Sequence, residues 1–176
     1  MTATYENIAT TTLGSAQTTV SFTNISQSFT DLRLVINDVK TTSSARNVFI
    51  RVGNGSIDSG SNYSHTNLGA RALSATPFSD RQSNQTSGKL SWYTAATTAH
   101  PQMSVVDLLN YSNTTTNKTF ISNSRTAPGD GTYSGVEVLV ILWRSTSAIN
   151  YLDVFTDVAD SFASGSTFTL YGIKAE

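Results

Sequence analysis

Gly135-Val136-Glu137-Val138-Leu139-Val140-Ile141-Leu142-Trp143 is the most apolar run in the chain, and it decides the fold class. The run is rich in β-branched residues and has no Gly, Pro or helix cap in its interior, which favours a strand. Because it is apolar at successive positions, it predicts a central strand with core on both of its faces. Two more apolar strands are predicted to follow, over residues 148–155 and 166–173.

The rest of the chain shows short alternating segments divided by turn residues, and no segment has convincing helical periodicity. Strands are predicted over residues 5–13, 17–23, 31–40, 47–52, 89–94, 103–111 and 118–123. The pattern is weak over 63–73, and two polar stretches, 54–62 and 75–88, are predicted to be loops. We therefore predict an all-β, jelly-roll-like single-domain β-sandwich over residues 1–176, with about nine or ten short antiparallel strands.

Composition excludes several kinds of partner and site. The 176 residues carry a net charge of -1 and only 13% charged side chains, so we expect neither nucleic acid nor membrane as a partner. The chain contains no Cys, which excludes disulfides and thiolate metal ligands. The start, Met1-Thr2-Ala3-Thr4-Tyr5-Glu6-Asn7, lacks the features of a signal peptide. We expect a protein made in the cytoplasm that leaves it only as part of a particle.

Signals for catalysis and metal binding are weak. His65 and His100 are interpreted as exposed loop histidines, because no Gly-x-Ser-x-Gly motif places a nucleophile beside either. Asp153, Asp157 and Asp160 could in principle act as paired carboxylates or bind Ca²⁺, but they are better explained as residues that cap a turn. We therefore predict no enzyme activity and no cofactor.

Two further patterns can be interpreted as binding sites. Asn54-x-Ser56-x-Asp58 echoes the start of a calcium loop, but Ser59 stands where that loop needs Gly and His65 where it needs Glu. The aromatic side chains could form a sugar-binding platform, although core or interface positions are the commoner use of such residues. They are Trp92, Tyr93, Trp143 and Tyr151.

Four stretches taken in order resemble small virion structural proteins and fibre-end β domains of tailed bacteriophages, notably phages of cyanobacteria and other aquatic bacteria. They are Phe29-Thr30-Asp31-Leu32-Arg33-Leu34-Val35-Ile36, Asp58-Ser59-Gly60-Ser61-Asn62-Tyr63-Ser64, Leu142-Trp143-Arg144-Ser145-Thr146-Ser147-Ala148-Ile149-Asn150 and Gly165-Ser166-Thr167-Phe168-Thr169-Leu170-Tyr171-Gly172-Ile173-Lys174. The resemblance spans residue 5 to the C-terminus and carries no catalytic residues with it. Fibre domains of this kind often follow a long shaft, whereas here the domain starts close to Met1, which favours a stand-alone particle protein.

The resemblance implies a virion location and, as the first expectation, a capsid decoration (cement) protein that binds and stabilises the assembled shell. The expected partners are the major capsid protein or other virion proteins, and a homo-oligomer is expected, with a trimer favoured. The alternative is a tail or fibre-tip module that binds host surface glycan; a depolymerising enzyme is the least favoured interpretation. Contacts are predicted in the loops 53–63 and 75–88 and after the apolar run, at Asn54, Ser56, Asp58, Asn62, Tyr63, Pro77, Phe78, Arg81 and Arg144.

Overall fold

The computed structural model describes residues 4–42, 46–71, 76–94, 102–126, 135–157 and 160–174. Over these residues the chain forms strands and no helix, and none of this described part is a helix that could cross a membrane. The strands are β1 (Tyr5–Thr12), β2 (Thr19–Thr23), β3 (Asp31–Val39), β4 (Arg46–Gly53), β5 (Tyr63–Arg71), β6 (Phe78–Gln85), β7 (Gly88–Thr94), β8 (Gln102–Leu109), β9 (Lys118–Thr126), β10 (Gly135–Trp143), β11 (Tyr151–Thr156) and β12 (Thr167–Ile173).

The strands form two sheets that pack into a β-sandwich. The larger sheet has eight strands in the order β1-β12-β3-β8-β9-β10-β5-β6, and the smaller has four in the order β2-β11-β4-β7. Every pair of neighbouring strands is antiparallel. The prediction of an all-β, jelly-roll-like sandwich is thus confirmed, with twelve strands in the described residues instead of nine or ten.

One hydrophobic core lies between the sheets and joins residues from both. The larger sheet contributes alternate residues such as Leu32, Leu34, Val106, Leu108 and Phe120, all without exposed surface. The smaller sheet contributes Val20, Phe22, Ile50, Leu152 and Val154. This period of two is what a strand with one buried face requires.

The expectation of core on both faces of the apolar run is wrong. Strand β10 buries Leu139, Ile141 and Trp143, whereas the alternate residues Val136, Val138 and Val140 are 46–58% exposed. The strand is central, lying between β9 and β5, but among the described residues the larger sheet packs against one other sheet, on one face. Continuous apolar character therefore does not here mean burial on both sides, and the exposed valines need a different explanation.

The prediction of a loop over residues 75–88 is also wrong. Residues 78–85 form β6, the edge strand of the larger sheet, which pairs with β5. An edge strand is held by backbone hydrogen bonds on one side only, and its outward side chains here are polar, so it shows no apolar alternation. Its neighbour β5 also lacks a clear apolar alternation, because its inward-facing residues His65 and Asn67 are polar.

Candidate functional site

The loop after β4 lies beside the end of β10 and forms a polar groove with it. The groove has a volume of about 460 Å³. Its lining includes backbone, amide, hydroxyl and carboxylate groups from Gly53, Asn54, Ser56, Ile57, Asp58, Ser59, Gly60, Trp143, Ser145 and Ser147. Three of the predicted contact residues, Asn54, Ser56 and Asp58, thus meet at one end of the sandwich.

Asp58 organises this groove. Its carboxylate accepts hydrogen bonds from the Trp143 indole Nε1 at 2.7 Å, the Asn62 amide at 2.9 Å and the Gly60 backbone N–H at 2.8 Å. Partial burial acts to raise the pKa of Asp58, but the three hydrogen bonds together outweigh it and the pKa is lowered. The carboxylate is therefore ionised at neutral pH and is already engaged within the chain, which accounts for Asp58 and Asn62 as supports of the loop.

Tyr63 was predicted to be a contact residue, but it has no exposed surface. Its hydroxyl accepts a hydrogen bond from the Val52 N–H at 3.0 Å and has two carbonyl oxygens in reach, of Val52 at 3.1 Å and Asp58 at 3.0 Å. Burial raises the pKa of this phenol, which stays protonated. Tyr63 fastens the loop to β4 from beneath, so a partner that binds the groove cannot reach it.

Arg144 follows β10 and holds three segments together. Its guanidinium donates to the Ser64 hydroxyl at 2.5 Å, the Ser61 carbonyl oxygen at 2.6 Å and the Asn84 side-chain oxygen at 3.0 Å. These bonds join the end of β10 to the start of β5 and to the end of β6. The side chain therefore links these segments within the chain, and its contact with a partner stays a prediction.

The remaining predicted contact residues, Pro77, Phe78 and Arg81, lie at or on β6, away from the polar groove. The Phe78 ring packs edge-on against Trp92, with 6.1 Å between ring centroids. Arg81 is exposed and pairs in register with Thr66 of β5, on the outer side of the sheet. The structure therefore divides the predicted contacts between two surfaces.

The second surface is an apolar patch on the outer face of the larger sheet, and sequence reasoning missed it. Leu68 is 62% exposed, and Val136, Val138 and Val140 are 58%, 46% and 47% exposed. The patch contains a groove of about 450 Å³ whose apolar lining includes Leu68, Ala70, Pro77, Val136 and Val138. A contiguous apolar patch on a protein surface is a candidate interaction site. The signal was present in the valines at every second position of β10, but it was assigned to core.

Beneath this patch, strand β5 turns two polar side chains into the interior of the sandwich. His65 and Asn67 of β5 are 3% and 1% exposed, and neither side chain has a hydrogen-bond partner in the described residues. Burial, together with the nearby Lys89 ammonium, lowers the pKa of His65 to about 4, although Asp80 acts in the opposite direction. The interpretation of His65 as an exposed loop histidine is therefore wrong, and His100 lies outside the described residues.

In the described part of the chain, Asp157 and Asp160 are both engaged by neighbouring groups. Asp160 is 4% exposed, accepts from the backbone N–H groups of Thr42 at 3.2 Å and Ser161 at 2.8 Å, and pairs with Arg46 at 3.3 Å. Asp157 accepts from the Asn47 amide at 3.2 Å. These contacts fit the predicted turn-capping role, and no group of three or more His, Cys, Asp or Glu residues in the described part of the chain could hold a metal ion.

No protein-family model matches the chain, and no curated protein matches it either. Among solved structures, a galectin from Caenorhabditis elegans, LEC-6, is 11% identical, with 94% of this chain and 96% of that chain covered and a TM-score of 0.36. A legume lectin-like domain from Entamoeba histolytica is 11% identical, covering 100% and 86%, with a TM-score of 0.35. A non-specific endo-β-1,3(4)-glucanase of family GH16, SCLam, is 7% identical, covering 98% and 93%, with a TM-score of 0.29. Likenesses this distant say nothing about function.

Proposed function

We propose that this chain is a structural protein of a bacteriophage particle, a decoration protein that binds the assembled shell and stabilises it. The observation that carries the proposal is the apolar patch in the middle of a rigid sheet, where Leu68, Val136, Val138 and Val140 are exposed. Such a patch supports a protein that works in an assembly. The resemblance to small virion proteins supports a phage particle as that assembly.

In this proposal the polar groove end of the sandwich contacts the shell. Its loop is held rigid from below by Tyr63 and from the side by Arg144, so binding would order few additional groups. Asn54, Ser56 and Ser59 are exposed there and offer amide and hydroxyl groups to a partner. A ligand that binds the closed lattice, and not its separate subunits, stabilises the lattice by mass action.

The first test is the number of copies in purified particles, measured by quantitative mass spectrometry against the major shell protein. A copy number on the order of hundreds follows shell symmetry and supports decoration. A copy number of roughly six to a few dozen matches tail symmetry and would transfer the protein to the tail. Absence from the particle would overturn the proposal.

A second test locates the shell contact. Ser56→Arg places a long cation in the polar groove, and Ser15→Arg, an exposed position at the opposite end of the sandwich, is the matched control. Binding to particles that lack the protein is measured by cosedimentation. We expect Ser56→Arg to lose binding and Ser15→Arg to retain it; equal binding of both variants would exclude the groove as the contact.

The second candidate function is a tail or fibre-tip module that binds host surface glycan, and the polar lining of the groove favours it. The amide and hydroxyl groups of the exposed Asn54, Ser56 and Ser59 are suited to sugar hydroxyls. Among the described residues that line the groove, no aromatic side chain forms an exposed platform, since Trp143 is only 2% exposed. Binding of the purified protein to a glycan array, lost in Ser56→Arg, would favour this function over decoration.

A further inference from the structure

The apolar patch is the middle of a wider surface that the strand registers define. Starting from β10, the outer face continues through β5 to β6 on one side and through β9 to β8 on the other. In register with Val138 lie Leu68 on β5 and Asn123 on β9, followed by Val105 on β8. In register with Val140 lie Thr66 and Ile121.

We propose that this face binds a second copy of the chain, as a two-fold dimer whose axis runs parallel to β10 and in front of it. The dimer is independent of the phage assignment. A rotation about this axis keeps each residue at its own level along the strand and exchanges the two sides of the sheet. The central valines then meet their own counterparts, β5 faces β9 of the second copy, and β6 faces β8. This is the self-complementary contact that a two-fold interface requires.

Charge at the margins of the patch supports this axis. Arg81 on β6 and Asp107 on β8 both lie at the level of Val140, each two strands from β10. The rotation therefore places Arg81 of each copy opposite Asp107 of the other, and does so twice. Asp107 already binds Arg33 within the chain at 2.6 and 3.0 Å, and its carboxylate oxygens have lone pairs left for a second donor.

Shape supports the same axis. Ala70 on β5 and Arg125 on β9 both pair with Val136, so the rotation places Arg125 of one copy over the small Ala70 of the other. Both residues are exposed, and the groove of about 450 Å³ lies around Ala70. The aliphatic stem of an arginine can cover apolar surface there while its charged end reaches the rim.

The size of the surface is adequate for a stable pair. Five strands at a spacing of about 4.8 Å and seven residues at about 3.4 Å each make a face on the order of 600 Å² in projection. Side chains add relief, so the accessible area exceeds the projection and approaches the roughly 800 Å² per partner of a standard interface. The patch is apolar at its centre and charged at its margins, as protein interfaces are.

The experiment is sedimentation velocity of the purified full chain over a range of concentrations, with Val138→Lys as the disruptive variant. Thr10→Lys is the matched control, because Thr10 is exposed on β1 at the far side of the same sheet. We expect a dimer for the wild type and Thr10→Lys, and at least a roughly 100-fold higher dissociation constant for Val138→Lys, since two desolvated cations would face each other. Circular dichroism and thermal unfolding of each variant show whether its fold is intact.

Two further variants test the axis itself. Arg81→Glu should weaken the dimer by about 10-fold or more, and by more than Arg81→Ala, because it opposes Asp107 with a like charge. Val138→Cys should be crosslinked to its own counterpart by a short bismaleimide, while Thr10→Cys should not; the chain has no other Cys to interfere. A dimer insensitive to Arg81→Glu and not crosslinked through residue 138 would overturn the axis.

The outcomes separate this inference from the proposed function. A monomer or trimer in solution overturns the dimer. If the wild type is a monomer, loss of particle binding by Val138→Lys would assign the patch to the shell protein instead. A dimer that is absent from purified particles leaves the inference standing and overturns the decoration role.

Discussion

Gly53 shows how a single residue shapes the candidate site. A Cβ added at this position would lie 1.8 Å from the Ser56 carbonyl oxygen, a backbone atom that cannot move without displacing the loop. We expect Gly53→Ala to lower the free energy of unfolding by roughly 1–3 kcal/mol, as overpacking does. Gly14→Ala is the control, because nothing lies within 4 Å of its added Cβ. Urea unfolding measures both; equal stabilities would show that the loop can yield.

His65 makes the stability of the fold depend on pH. Its folded pKa of about 4 lies below the ordinary 6.5, so between these values the unfolded chain binds the proton and the folded chain does not. The stability that neutral His65 contributes is fully present above pH 6.5. It is lost as the pH drops from 6.5 to about 4, which lowers the free energy of unfolding by about 3 kcal/mol in total.

Urea unfolding from pH 7.5 to 4 tests this dependence, because that range spans both the unfolded and the folded pKa of His65. His65→Gln removes the titrating group, and we expect its stability to vary much less over the same range. Titration of Asp58 does not interfere with this measurement. Because the pKa of Asp58 is lowered in the folded chain, the stability it contributes is lost only as the pH falls below its ordinary pKa of 3.8. The same slope in both proteins would contradict the assignment.

At the scale of elements, Arg144 joins β10 to β5 and β6. Arg144→Ala removes three hydrogen bonds of a charged donor, and we expect a loss of about 1.5–3 kcal/mol in the free energy of unfolding. Hydrogen exchange should also quicken over residues 61–64 and 84–85, the segments it holds. Arg81→Ala is the matched control, an exposed arginine on β6, measured at a concentration where the chain is monomeric. Similar losses in both variants would show that Arg144 has no special role as a link.

At the scale of the whole molecule, the two ends of the chain depend on each other. Strand β12 lies between β1 and β3, whereas β1 is an edge strand with one neighbour. Deleting residues 167–176 removes Phe168 and Leu170 from the core and leaves β1 without a partner, so we expect no cooperative unfolding transition. Deleting residues 1–12 exposes only one new edge, and a cooperative but weaker fold is expected. Calorimetry distinguishes them; a cooperative transition without β12 would contradict this dependence.

Folding of the whole molecule should be slow, because many strands that pair in the sheets are far apart in the sequence. Neighbouring strands such as β1 and β12, or β3 and β8, come from distant parts of the chain. Non-local pairing requires long loops to close before contacts form, which places folding on the order of milliseconds to seconds. Stopped-flow refolding measures the rate, and a microsecond phase that carries the full amplitude would contradict the expectation.

Predictions from the residues succeeded where a strand has one apolar face turned to the core. Strands β3, β8 and β11 alternate clearly, and each was predicted near its observed place. Strand β5 was hidden because His65 and Asn67 face inward while Leu68 faces outward, the reverse of the usual pattern. For the candidate site, Asn54, Ser56 and Asp58 were predicted from loop composition and lie together in the polar groove. The burial of Tyr63 and the internal bonds of Arg144 could not be predicted from their residue types.

The sequence by itself determined the all-β class, the absence of disulfides and most strand positions, because these follow from local composition and from a period of two along the chain. Only the tertiary structure decided which apolar residues are core. Val138 and Leu139 are apolar neighbours, but Leu139 faces the partner sheet and Val138 faces solvent. Burial depends on what the rest of the chain places against each face of a sheet, and the period along one strand carries no information about that.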